Sequence, residues 1–247
     1  MPHDFELRKQ VTLEATPEQV WEAIATGPGI DSWFMGRNEI EPREGGATRQ
    51  YFGDFPVEAT VTAWEPSKRF AFRSDKNPDG SFMAFEYLIE GRDQGGSTVL
   101  RMVQSGILGD DWDSEYDALN RGWDMYLHTL DQYLRHFPGR SAVVVFGARP
   151  KTGGGEPVSR VLERGLGLTG PVTQGEPVRL TPEGLEPIEG VVDYAKPGFL
   201  GVRTGDGLYR FIQGMDETLV VGHHVFAGVD PKETERAWQE WLGRLLP

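Results

Sequence analysis

Between Asp110 and Phe137 the bulky apolar residues fall at Trp112, Tyr116, Leu119, Trp123, Leu127, Leu130, Leu134 and Phe137. Steps of three and four place them on one face of an α-helix. Asp113, Asp117, Asn120, Asp124, Asp131 and Arg135 take the opposite face, no proline interrupts the run, and His136, Pro138 and Gly139 close it. Such a helix of about 26 residues would be about 39 Å long. Its aromatic stripe needs a partner surface, and only the strand-rich text before it offers one. The pattern predicts an antiparallel sheet wrapped around one long helix.

Upstream, Phe5, Leu7, Lys9, Val11 and Leu13 alternate with polar neighbours, as in a strand with one buried face. Thr16-Pro17-Glu18-Gln19 then reads as a capping box with proline at the first helical position. Val20, Trp21 and Ile24 make the stripe of a short helix that Gly27-Pro28-Gly29 is expected to end. Ile30, Trp33 and Phe34 mark a second short helix or turn. From Glu39 to Ser105 strands alternate with turns, the strongest turn being Asn77-Pro78-Asp79-Gly80. Tight connections between successive strands imply an antiparallel meander.

Three stretches carry a family likeness: ATPEQVWEAI from Ala15, VEATVTAWEPSKRFAF from Val57, and the helix segment from Gly122-Trp123 to Tyr133-Leu134. Residues 5–138 resemble the helix-grip superfamily, also called START-like, Bet v 1-like or SRPBCC. Within it they are similar to the branch named after the activator of the Hsp90 ATPase. The resemblance implies an α+β domain over residues 1–138 with a cavity between sheet and long helix. It leaves function open, because the superfamily includes hydrolases, cyclases and lipid carriers.

Past Pro138 the text starts again. Ser141–Ala148 reads as a strand, Arg149–Glu156 as a flexible turn and Pro157–Leu168 as a short helix. Five further strand candidates follow, and a helix capped by Asp230-Pro231 ends at Leu246 with Trp238 and Trp241 on its stripe. Ile188–Pro197 also aligns with Val57–Pro66, each a strand running into a proline turn. Residues 139–247 are therefore expected to be a second, trimmed copy of the same fold. That copy has one short helix fewer and a short terminal helix, so no cavity is expected in it.

Residues 1–138 hold 13 Lys and Arg against 24 Asp and Glu, which accounts for −11 of the net −13. Nucleic-acid binding is not expected, because phosphate contacts need clustered basic residues. With no cysteine, disulfides, thiolate metal sites and cysteine nucleophiles are ruled out. No apolar run is long enough to span a membrane, and no secretory leader is seen, so a cytoplasmic protein is expected.

Motif searches return little chemistry. Five histidines (His3, His128, His136, His223 and His224) form no metal-ligand spacing, and His223-His224 would point to opposite faces of a strand. There is no nucleophile elbow. Gly153-Gly154-Gly155 lacks the Lys-Ser/Thr ending of a phosphate loop. The acidic run from Asp110 to Asp117 suits a helix N-terminus better than a calcium loop. No metal or cofactor is expected, and no catalytic residue is nominated. What remains is the sheet–helix space, with Trp33, Phe34, Phe72, Phe85, Tyr87, Met102, Gln104, Trp123 and Leu127 as candidate ligand-binding residues. Gln104 is the candidate polar handle. These residues point to a binder of a hydrophobic small molecule. A co-chaperone-like protein-interaction module and a cyclase or hydrolase using the same cavity are the alternatives.

Overall fold

The computed structural model describes residues 3–52, 55–78, 80–92, 96–108, 112–152 and 155–246. The chain divides into two compact units, residues 1–141 and 142–247.

The first unit opens with strand β1 (His3–Leu13), whose Phe5, Leu7 and Leu13 are buried as the alternation predicts. Helix α1 (Pro17–Ala25) follows, with both halves of the capping box formed: Gln19 N–H donates to Thr16 Oγ1 and Thr16 N–H to Gln19 Oε1 at 2.9 Å. The second short helix departs from expectation. α2 spans Gly27–Ile30, so the Gly-Pro-Gly run begins a helix instead of only ending one. The reason is local: Thr26 Oγ1 accepts from Gly29 N–H at 3.0 Å and Pro28 suits the first turn. Glycine is required at Gly27, where a Cβ would stand 2.4 Å from the Asn38 carbonyl oxygen.

Six strands follow: β2 (Arg37–Ile40), β3 (Ala47–Phe52), β4 (Phe55–Glu65), β5 (Arg69–Arg73), β6 (Phe82–Arg92) and β7 (Ser97–Leu108). All pair antiparallel in the order β1-β7-β6-β5-β4-β3-β2. The expected turn at Asn77–Gly80 joins β5 and β6, although Asp79 lies outside the described residues. Helix α3 (Trp112–His136) buries Trp123, Leu127, Leu130 and Leu134. Leu130 is wholly buried and Trp123 is 4% exposed, so the stripe has its partner. Two ion pairs tie α3 to the β1 region, Asp124 with Lys9 and Arg135 with Glu14. Asp110 and Asp111 of the acidic run lie outside the described residues.

The second unit comprises β8 (Val143–Pro150), α4 (Val158–Gly165), β9 (Pro177–Leu180), β10 (Ile188–Lys196), β11 (Phe199–Arg203), β12 (Gly207–Gln213), β13 (Thr218–Val225) and α5 (Pro231–Leu245). β8 runs on through Arg149 and Pro150, which were expected in a turn, because both pair with β13. Proline is tolerated there at the end of an edge strand. Gly153 and Gly154 of the glycine run lie outside the described residues.

The sheet order β8-β13-β12-β11-β10-β9 repeats the first unit's plan with one strand fewer. In both units the opening strand pairs with the last, the meander runs back from there, and a helix finishes the unit. The repeat reaches single residues. β4 slips register on β5 between Val61 and Ala63, and β10 slips on β11 between Val192 and Tyr194. The bulged residues, Thr62 and Asp193, hold the same place in the aligned decapeptides. Ser67 and Gly198, each following the turn proline, both have positive φ. The fold is a tandem duplication.

The second bulge has a use the first lacks. Asp193 accepts from Arg210 Nη1 at 2.9 Å and from Arg210 Nη2 at 2.7 Å, and both side chains are buried. Gly201 leaves room for them, since a Cβ there would meet Arg210 Nη1 at 2.8 Å and Asp193 Oδ1 at 2.9 Å. Next to this pair, His223 Nδ1 accepts the Arg210 backbone N–H at 3.1 Å. The proton therefore sits on Nε2, with the ring edge-on to Trp238 at 4.2 Å.

Burial, then His224 and Arg210, push the His223 pKa well below its usual 6.5. The folded unit keeps His223 neutral while the unfolded chain takes up a proton below about pH 6.5. Stability is therefore flat above that pH and falls as the pH drops through it. The slope approaches about 1.4 kcal/mol per pH unit from this one group. Urea unfolding of the second unit between pH 8 and pH 5 should show the fall, and His223→Leu should flatten it.

Candidate functional site

A small cleft opens in the first unit where β2, β3, β5 and β6 face the segment after α2 and the middle of α3. Its volume is about 90 Å³. Phe34 stacks on Trp123 at 5.2 Å and meets Tyr126 edge-on at 4.6 Å. Phe72 stacks on Phe85 at 4.9 Å, and Phe85 and Tyr87 both reach Trp123. Phe34, Phe72 and Phe85 keep part of their surface exposed in the cleft, whereas Trp33, Tyr87 and Trp123 are buried. Trp33 is pinned by its Nε1–H donating to the Ala23 carbonyl at 2.9 Å.

The polar side is built by β2 and β3. Gly36, at φ 72°, turns the chain into β2. Asp31 Oδ1 accepts from Asn38 N–H at 2.7 Å and from its Nδ2 at 3.0 Å. Burial raises the Asp31 pKa to about 6 against the pull of those bonds. Gln50 Nε2 donates to the Met35 carbonyl at 2.8 Å. Glu39 is held below the usual carboxylate range by Arg37, and Arg49 is paired with Glu58 at 2.9 Å. Burial pushes the Tyr87 phenol above its ordinary range.

Six of the nine candidate residues line the cleft: Trp33, Phe34, Phe72, Phe85, Tyr87 and Trp123. Met102 and Leu127 are buried away from it. Gln104 is buried on β7, but its bonding capacity is used internally. Its Oε1 accepts from Trp123 Nε1–H at 2.6 Å and its Nε2 contacts Met83 Sδ at 3.3 Å. It works as a brace for Trp123. The reading missed Ile30, Asn38, Glu39, Ile40, Thr48 and Gln50. The pairing of β2 with β3 brings in Asn38, Glu39, Thr48 and Gln50, and a four-residue strand leaves too little alternation to read.

A family model described as Activator of Hsp90 ATPase homolog 1-like protein matches residues 14–135. The first unit belongs to that family. It is the Hsp90-activator-like branch of the helix-grip, START-like superfamily, as the sequence motifs imply. Among solved structures, MLL2253 from Mesorhizobium loti is 23% identical with a TM-score of 0.47, over 54% of this chain and 98% of that one. The Aha1 dimer from Colwellia psychrerythraea is 20% identical with a TM-score of 0.43, over 53% of this chain and 96% of that one. DynU16, from the dynemicin biosynthetic locus, is 21% identical with a TM-score of 0.46, over 98% of this chain and 96% of that one. No curated protein matches the chain. Among the described residues, no group of His, Cys, Asp and Glu could hold a metal ion, and no helix is long and apolar enough to cross a membrane.

Proposed function

We propose that the Hsp90-activator-like unit is a protein-interaction module whose aromatic cleft receives one apolar side chain of a partner. The observation that carries this reading is the size of the cleft. About 90 Å³ is well short of the roughly 300–1,000 Å³ of ordinary small-molecule pockets. The space the fold sets between sheet and helix is occupied by the chain's own rings. The half-exposed faces of Phe34, Phe72 and Phe85 suit a branched aliphatic anchor presented from outside, as at the hot spots of protein interfaces. The family points to the partner class to test first, an Hsp90-type chaperone ATPase.

The test is the turnover rate of such a chaperone with and without this chain. The rate should rise on addition, and Phe72→Glu, which places a carboxylate in the cleft wall, should weaken binding about thirtyfold, as expected for a hot-spot residue. No stimulation, or stimulation untouched by Phe72→Glu, rejects the proposal. A second reading, a small hydrophobic ligand in the same cleft, is favoured by the aromatic walls. It requires a compound no larger than a single ring or short branched chain. A rise in melting temperature with such compounds, absent in Phe72→Glu, would support it.

A further inference from the structure

The duplication gives the two units equivalent positions, and at one set of them the packing differs. In the first unit Trp21 of α1, Trp64 of β4 and Phe70 of β5 form a plug. Trp64 packs edge-on against Trp21 at 4.9 Å and against Phe70 at 5.5 Å, and Phe70 lies 6.3 Å from Trp21. Each has a counterpart in the second unit. Trp64 aligns with Ala195 in the paired decapeptides, and the sheet register agrees, since Trp64 pairs with Phe70 as Ala195 pairs with Leu200. Trp21 is the fifth residue of α1 and Leu162 the fifth of α4. The plug Trp-Trp-Phe has become Leu-Ala-Leu.

Where those rings are missing, the second unit has a cavity of about 300 Å³, and Leu162, Ala195 and Leu200 line it. Its size reaches the lower bound of small-molecule pockets. The remaining walls include Leu168, Val172 and Phe199, all apolar. The polar lining is sparse. Glu163 is engaged by Arg160 at 2.7 Å. Lys196 is exposed at the turn, and no ion pair to it is seen among the described residues. Gln213 and Ser159 also line this space.

We propose that the second unit binds a flat bicyclic aromatic carboxylate in this cavity. The ring system takes the volume the two indoles fill in the first unit, and the carboxylate meets Lys196 and Gln213 at the mouth. This site is independent of the cleft in the first unit, and neither proposal needs the other.

The experiment is a titration of the full chain with 2-naphthoate, with 2-naphthalenemethanol as the neutral analogue. Saturable binding of both is expected. Ala195→Trp, which restores the plug, should weaken both at least about tenfold. Leu162→Trp is the second plug, and circular dichroism shows that each variant is folded. Lys196→Gln should weaken the acid about threefold, in line with a solvent-exposed charge pair, and leave the alcohol unchanged. No binding by the wild-type chain overturns the proposal, as does binding that survives both plugs. Equal effects of Lys196→Gln on acid and alcohol overturn the charged half of it.

Discussion

Asp193→Ala is expected to destabilise the second unit by about 3–5 kcal/mol, the usual cost of orphaning one member of a buried ion pair. The Arg210 guanidinium is 1% exposed and the Asp193 side chain 4% exposed, so water cannot replace the lost partner. The Tyr209 carbonyl, 3.1 Å from Nη1, is neutral and does not replace the lost carboxylate. Arg179 and Glu189 in the same sheet give the contrast. They pair at 2.8 Å but are 61% and 72% exposed. Breaking that pair should cost no more than about 1 kcal/mol. Removing both buried charges, as in Asp193→Leu with Arg210→Met, should recover most of the loss, because the desolvation cost goes with the attraction. Calorimetry separates the outcomes: Asp193→Ala lowers the second unit's transition and leaves the first unit's in place. A near-neutral Asp193→Ala would mean that the pair is solvated.

Trp123→Ala is the matching expectation in the first unit. Truncating a buried tryptophan costs about 3–5 kcal/mol. Two features place this one toward the upper end. Its ring is shared by Phe34, Phe85, Tyr87 and Tyr126, so four neighbours lose packing together. Its Nε1–H is also the donor to buried Gln104 Oε1, and an orphaned buried acceptor adds about 1–3 kcal/mol. Trp123→Phe keeps most of the packing and loses only the donor, so its cost should fall to that second amount. Equal costs for the two variants would show that the hydrogen bond, and not the ring, holds the helix to the sheet.

The sequence carried the fold well where period and turn chemistry agreed. The stripe from Trp112 to Phe137 set α3, and the capping residues Thr16 and Asp230 set the starts of α1 and α5. The decapeptide echo was a short match, yet it marked the bulged strands residue for residue. Errors arose where a local signal had two uses. Gly27-Pro28-Gly29 can stop a helix or begin one, and the Thr26 side chain decides it.

The site was legible only in part. Alternation in β5 and β6 and the α3 stripe supplied its aromatic wall. Its polar wall depends on β2 pairing with β3, a contact that neither strand's own residues announce. Gln104 was correctly turned inward, but its engagement by Trp123 needs two distant elements at once. The cavity in the second unit lies between α4 and the β10–β11 turn and not against the terminal helix α5, a place that no sequence signal marks until the partners of Trp64 and Ala195 are compared.

The most direct measurement of the central claim is photo-crosslinking to an Hsp90-type chaperone from a photoactivatable residue at Thr48, in the cleft lining. A residue at exposed Arg179 of the second unit serves as control. An adduct from position 48 and none from position 179 is the predicted result. No adduct from position 48, or equal adducts from both, would contradict docking through the cleft.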